Sequence, residues 1–103
     1  MSIEFHMCPK YEKLAMFLGK RWTGLILRVL LEGELRFSEI LDHVSGLSSR
    51  LLTERLKEME EIGLVLREVR NEYPIKVEYT LTEKGRALEP VILEMQVYAE
   101  QWL

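Results

Sequence analysis

The chain has 103 residues, enough for one domain (1–103) with its own core, and at 48% hydrophobic and 30% charged its composition is that of an ordinary soluble globular protein. No apolar run approaches the roughly 18 residues of a membrane helix, the opening MSIEFHMCPK lacks the apolar stretch of a secretory signal, and one cysteine excludes an internal disulfide, so a cytoplasmic protein with no membrane partner is expected. The net charge of −3 argues against a uniformly basic surface, but the excess is local: residues 1–47 carry six cations and six anions, residues 48–86 eight of each, and residues 87–103 only Glu89, Glu94 and Glu100.

Pro9 is placed to open a first helix, in which Tyr11, Leu14, Ala15 and Leu18 share a face and which Gly19 ends. A second helix carries Trp22, Leu25, Ile26, Val29 and Leu30 on one stripe with Leu27 and Leu31 beside it, the pattern of a central, buried helix stopped at Gly33. Phe37, Ile40, Leu41 and Val44 make a short third helix. After the turn Ser45-Gly46-Leu47, Ser48 is the natural cap of a fourth, whose Leu52, Leu56 and Met59 face the core, helped by Leu51 and Ile62, until Gly63 closes it. The period then changes to two. Val65, Arg67 and Val69 alternate with Leu66, Glu68 and Arg70, and Val77, Tyr79 and Leu81 alternate with Glu78 and Thr80, giving a hairpin whose five-residue loop holds Asn71 and Pro74. Thr82 caps a last helix with the stripe Leu88, Val91, Ile92, Met95, Tyr98 or Ala99, and Trp102, bent or interrupted by Pro90.

The second, third and fourth helices ahead of a two-stranded hairpin make an α+β, mainly α, winged helix-turn-helix. The third and fourth are joined by the tight turn Ser45-Gly46-Leu47, and the second helix of such a pair lays its first turns in the DNA major groove. Arg50, Thr53, Glu54 and Lys57 recur at i, i+3, i+4 and i+7, so they form one exposed face opposite Leu52, Leu56 and Met59. Arg50 suits a guanine edge, Thr53 a base or a thymine methyl, and Glu54 a cytosine amine or a neighbouring arginine. Ser48, Ser49 and the first-turn amides suit a phosphate oxygen. Arg55 and Lys57 suit phosphate, and Arg67, Arg70 and Lys76 give the hairpin cations for the backbone or minor groove.

The sequence resembles the HxlR family of winged helix-turn-helix transcription regulators, relatives of the MarR-type dimers, over nearly its whole length. The residues that carry the likeness are Cys8-Pro9, LGKRWTGLILRVLLEGELRFSEI from Leu18 to Ile40, GLSSRLLTERLKEMEEIGLV from Gly46 to Val65, and KVEYTLTEKGRAL from Lys76 to Leu88. The resemblance implies a homodimer on a pseudo-palindromic operator in double-stranded DNA, with the fourth helix in the major groove and the hairpin as a wing. Lys20 stands where the family usually has a second glycine, and NEYPIKV has less proline than family wings often do.

Cys8 matches a cysteine that in some proteins of the family senses oxidants or electrophiles, and a helix N-terminus favours the thiolate such a sensor needs; a free cysteine is equally an ordinary small side chain. The chemistry of any small-molecule or redox effector stays open. His6, His43 and Cys8 are too dispersed to make a metal site, and no nucleophile paired with a base and no phosphate loop points to an enzyme or a cofactor. The last helix is more apolar than a small core can cover, so a two-fold partner is expected across Val91, Met95, Tyr98 and Trp102, with Tyr11, Leu14 and Phe17 of the first helix. Two functions follow from the residues: a dimeric DNA-binding regulator, and a winged helix used only to bind other proteins.

Overall fold

The computed structural model describes residues 4–103. Its helices and strands run α1 (Pro9–Leu18), α2 (Thr23–Leu30), β1 (Leu35–Arg36), α3 (Phe37–His43), α4 (Ser49–Glu61), β2 (Val65–Arg70), β3 (Lys76–Leu81), α5 (Glu83–Arg86) and α6 (Glu89–Trp102). This is a winged helix-turn-helix. Its core joins Ile26, Leu27 and Leu30 of α2, Ile40 of α3, and Leu52, Leu56 and Met59 of α4 to Val65, Tyr79 and Leu81 of the sheet, with Ile92 reaching in from α6.

The three α4 core positions at sequence spacings of four and three behave as read: Leu52, Leu56 and Met59 are fully buried, with Leu51 half-buried beside them, whereas Ile62, expected to help them, lies exposed at the helix end. On α2 the buried stripe is displaced from the expected one. Thr23, Ile26, Leu27 and Leu30 face inward, while Leu25 is 55% exposed and Trp22 precedes the helix with a left-handed backbone at φ 78°. Apolar residues at nearly every α2 position leave more than one helical stripe available, and packing against α3 chooses among them.

The sheet has three strands, not two. Leu35 and Arg36 pair with Tyr79 and Glu78, so the order is β1-β3-β2 and β3 is central. In the hairpin Val65 lies opposite Leu81, Arg67 opposite Tyr79 and Val69 opposite Val77, which puts those six residues on the core side of the wing. Leu66, Glu68, Arg70, Lys76, Glu78 and Thr80 form its outer side.

The last helix is also two helices. Thr82 caps only the four-residue α5, accepting from the Gly85 amide at 3.1 Å and donating to the Gly63 carbonyl. Pro90 then occupies the first turn of α6, where its missing N–H has no carbonyl to reach, so it starts a helix in place of bending one. Gly85 is where the chain crosses itself closely: a Cβ there would stand 2.2 Å from the Leu64 carbonyl oxygen.

Two elements lie at the edge of this body, joined to it by Phe17 and Leu18 of α1 and by Ile92 of α6. Helix α1 buries no residue and α6 buries only Ile92. The Cα radius of gyration is 16.0 Å and the longest dimension 67 Å, against about 13 Å for the radius of a compact chain of this length.

Candidate nucleic-acid interface

The turn that presents α4 runs from Val44 to Ser48. Val44 and Leu47 are buried and anchor it, and between them Gly46 adopts φ +84°, with the Trp22 ring 3.4 Å from where a Cβ would be. A left-handed residue against an aromatic ring calls for glycine. Ser48 then caps α4 as expected, its Oγ accepting from the Leu51 amide at 3.2 Å. By helix geometry the Ser49 and Arg50 amides have no intrahelical carbonyl, so two donors and the positive end of the helix dipole face solvent beside the exposed Ser48 and Ser49.

Arg50, Thr53, Glu54 and Lys57 lie together on the exposed side of α4. Arg50 has 89% of its side chain in solvent, and its Nε is 3.5 Å from Glu54 Oε1, an exposed pair one turn apart. Such a pair adds little stability and leaves the Arg50 amino groups free. Thr53 donates its hydroxyl proton to the Ser49 carbonyl at 2.8 Å; what it offers outward is its methyl and the oxygen's lone pairs. Lys57 has no ion-pair partner among the described residues.

Arg55 does not join this face. Its side chain is only 17% exposed; Nε donates to the Arg21 carbonyl at 2.9 Å and an Nη donates to Glu58 at 2.8 Å. Lys20 also pairs with Glu58, and Arg21 lies 4.8 Å above the Trp22 ring. Arg55 and Glu58 thus brace α4 against the loop after α1. The hydrogen bond from Lys20 lowers the Glu58 pKa from the usual value; burial, the next largest effect, opposes it, and the charge of Lys20 and then Arg55 add to the lowering. The i, i+3 spacing of Arg55 and Glu58 was visible in the sequence; their partners in the loop, over 30 residues away, were not.

The wing cations divide similarly. Arg67 is exposed and unpaired among the described residues, on the core side of the hairpin near its outer half. Arg70 is held on the outer side between Glu34, at 3.1 Å, and Glu78, at 3.7 Å, and Lys76 lies 3.8 Å from Glu72. These two charges are partly neutralised within the protein. At the other end of the chain, Cys8 is exposed at the N-cap of α1, its carbonyl accepting from the Glu12 amide at 3.0 Å.

A family description of HxlR-like helix-turn-helix matches residues 17–103. The chain belongs to this family of transcriptional regulators. It is 52% identical, over 93% of its length and 86% of the relative's, to the HTH-type transcriptional regulator YodB of Bacillus subtilis. The reduced form of YodB superposes with a TM-score of 0.84, covering 94% of this chain and 95% of that one, and the diamide-treated form, 51% identical, with 0.79 over 95% and 97%. The oxidised form of the redox regulator HypR, 39% identical, gives 0.84 over 91% and 96%. In this member of the HxlR-like family, Arg50, Thr53, Glu54 and Lys57 of α4 are exposed. No described helix is long and apolar enough to cross a membrane.

Proposed function

We propose that this protein works in the cytoplasm as a homodimer on a two-fold operator in double-stranded DNA. Helix α4 of each protomer enters a major groove, with Arg50, Thr53, Glu54 and Lys57 toward the bases and nearer phosphates, and Ser48, Ser49 and the first-turn amides on the backbone. Arg67, and after release from their carboxylates Arg70 and Lys76, meet the backbone or minor groove. The observation that carries this reading is the division of α4 between a fully buried row, Leu52, Leu56 and Met59, and an open polar row that nothing else in the protein uses. The second copy is supported by the exposed Tyr11, Val91, Met95, Tyr98 and Trp102 and the half-buried Leu14 and Phe17 on the two helices at the edge of the body. Two such protomers set α4 helices about one DNA turn, roughly 34 Å, apart. Selection from random DNA followed by footprinting tests the proposal: a protected site with two-fold symmetry and affinity that falls steeply with salt is expected, and retention of no duplex sequence over any other at any salt overturns it.

A redox effector acting at Cys8 is the second reading. It is supported by the exposure of this thiol at the start of α1, a helix that leads directly into the braced Lys20-Arg21 loop, and by the likeness to HypR, a redox regulator.

A further inference from the structure

We propose that the hydrogen bond between Arg28 and Gln96 sets the angle at which α6 lies on its own protomer, and with it the spacing between operator half-sites that the protein accepts. The proposal rests on the homodimer reading and adds to it a positioning pair inside each protomer. Helix α6 packs against α2. Its only buried residue is Ile92, which reaches the core. One turn further along α6, Gln96 Oε1 accepts from Arg28 Nε at 2.7 Å, the one side-chain hydrogen bond from α6 to α2 among the described residues. Arg28 is itself held in place: its Nη1 donates to Glu32, four residues on, at 2.8 Å.

A single buried plug lets a helix pivot, and a second attachment four residues on, about 6 Å along the axis, removes that freedom. Ile92 and Gln96 lie roughly 100° around α6 from the exposed stripe Val91, Met95, Tyr98 and Trp102. One face of the helix is thus fastened to its own protomer while the neighbouring face stays open. Helix α2 moves with α4, because Ile26, Leu27 and Leu30 share a close-packed core with Leu52, Leu56 and Met59. The α2–α6 joint therefore stands between the helix that enters the groove and a helix that carries the partner. Its angle matters at the scale of DNA. With two α4 helices about 34 Å apart, each lies roughly 17 Å from the two-fold axis, and a pivot of about 10° displaces it by about 3 Å, close to the rise of one base pair.

Selection from random DNA, run in parallel with the wild type and with Gln96→Ala, tests the pair; Gln96 is exposed, so its loss leaves the core intact. The wild type is expected to return two half-sites at one spacing. Gln96→Ala should return the same half-site at that spacing and at one base pair more or less. In competition its discrimination between spacings should fall by about 3- to 10-fold per protomer, the worth of one such bond. Gln96→Glu keeps an acceptor for Arg28 and should retain the wild-type spacing. Arg28→Lys, which lacks the planar fork that holds Gln96 and Glu32 together, should broaden it. A merely structural role predicts equal weakening at every spacing; that result, or one unchanged spacing with Gln96→Ala, overturns the proposal and leaves the homodimer standing. Sedimentation that finds Gln96→Ala monomeric where the wild type is dimeric also overturns it, by putting Gln96 at the surface between copies. A lone half-site selected by the wild type overturns both readings.

Discussion

Arg55 Nε donates to the main-chain carbonyl of Arg21 at 2.9 Å, which ties the middle of α4 to the loop that follows α1. A residue whose charge type suggests phosphate is thereby a brace, and the two roles predict different salt behaviour. Arg55→Ala removes a charge-assisted bond to the main chain and leaves Glu58 with one cation fewer; a stability loss of about 1–3 kcal/mol is expected in chemical denaturation. Its effect on the salt dependence of operator binding should be nil. Lys57→Ala should do the reverse, leaving stability unchanged and lowering the salt slope by about one ion. A slope reduced by Arg55→Ala would return that side chain to the phosphates.

The residue pair Arg50 and Glu54 concerns base choice. Arg50→Ala is expected to relax preference at one symmetric operator position by about 1–3 kcal/mol, the discrimination of a bidentate arginine–guanine contact. If Glu54 acts by aiming Arg50, Glu54→Gln will lower the preference at that same position. Competition binding across a set of single-base operator variants separates this from a uniform weakening, which would make Arg50 a phosphate contact.

The elements that a hydrophobic period specifies were legible in the sequence. Leu52, Leu56 and Met59 define α4 and, by exclusion, its open face, and the alternation around Tyr79 defines the wing. What the sequence did not reveal depends on tertiary contacts. The two residues of β1 are too short for any period and form a strand because β3 offers an edge at Tyr79 and Glu78. The α2 stripe includes Thr23, a polar residue that periodicity counts against burial. Pro90 reads as a break in a long helix until the helix is seen to begin there. Arg55 and Arg70 carry the charge of a DNA contact, and only the neighbours folded against them, the Arg21 carbonyl and Glu34, show that their charge has a use within the protein.

Glu58 gives the brace a pH dependence. Its carboxylate is favoured in the folded state by Lys20 and Arg55, so its folded pKa is below the unfolded one. A depressed carboxylate contributes stability that is fully present above the unfolded pKa and is lost as pH falls through the folded pKa. Between neutral pH and about pH 5 the wild type should exceed Glu58→Gln in stability by a constant amount, and the gap should close as the medium is acidified below about pH 4.3. Thermal unfolding of the two proteins across that range measures it; parallel curves throughout would mean the pair contributes nothing.

Gly85 tests the joint between the wing and the last two helices. Its Cβ would fall 2.2 Å from a backbone oxygen that cannot rotate away, so Gly85→Ala must separate α5 from the Leu64 strand entry. A loss of about 1–3 kcal/mol, at the level of an overpacked core, is expected. Gly24, where nothing lies within 4 Å of a built Cβ, supplies the control: Gly24→Ala should be neutral or stabilising, since it lies within α2 and alanine is the better helix former there. Equal denaturation midpoints for both variants would show that α5 is not pinned where the structure has it.

Cys8 connects the ends of the molecule. The Sγ of Cys8, exposed at the α1 N-cap, is reachable by an oxidant or a second thiol, and two such thiols joined across a dimer as a disulfide give up two protons and two electrons to that oxidant. Joining them fixes the start of α1 in both copies. The other end of α1 leads through Gly19 to Lys20 and Arg21, which hold Glu58 and Arg55 of α4, so a displacement of α1 is expected to reach α4 through these contacts. Diamide or peroxide is therefore expected to change operator affinity and to produce a reducible band of doubled mass on a gel, both absent in Cys8→Ser. Arg55→Ala should keep the band and lose most of the change in affinity. Oxidant treatment that leaves wild-type affinity and gel mobility unaltered removes Cys8 from regulation, and a full affinity response in Arg55→Ala places the transmission somewhere other than the brace.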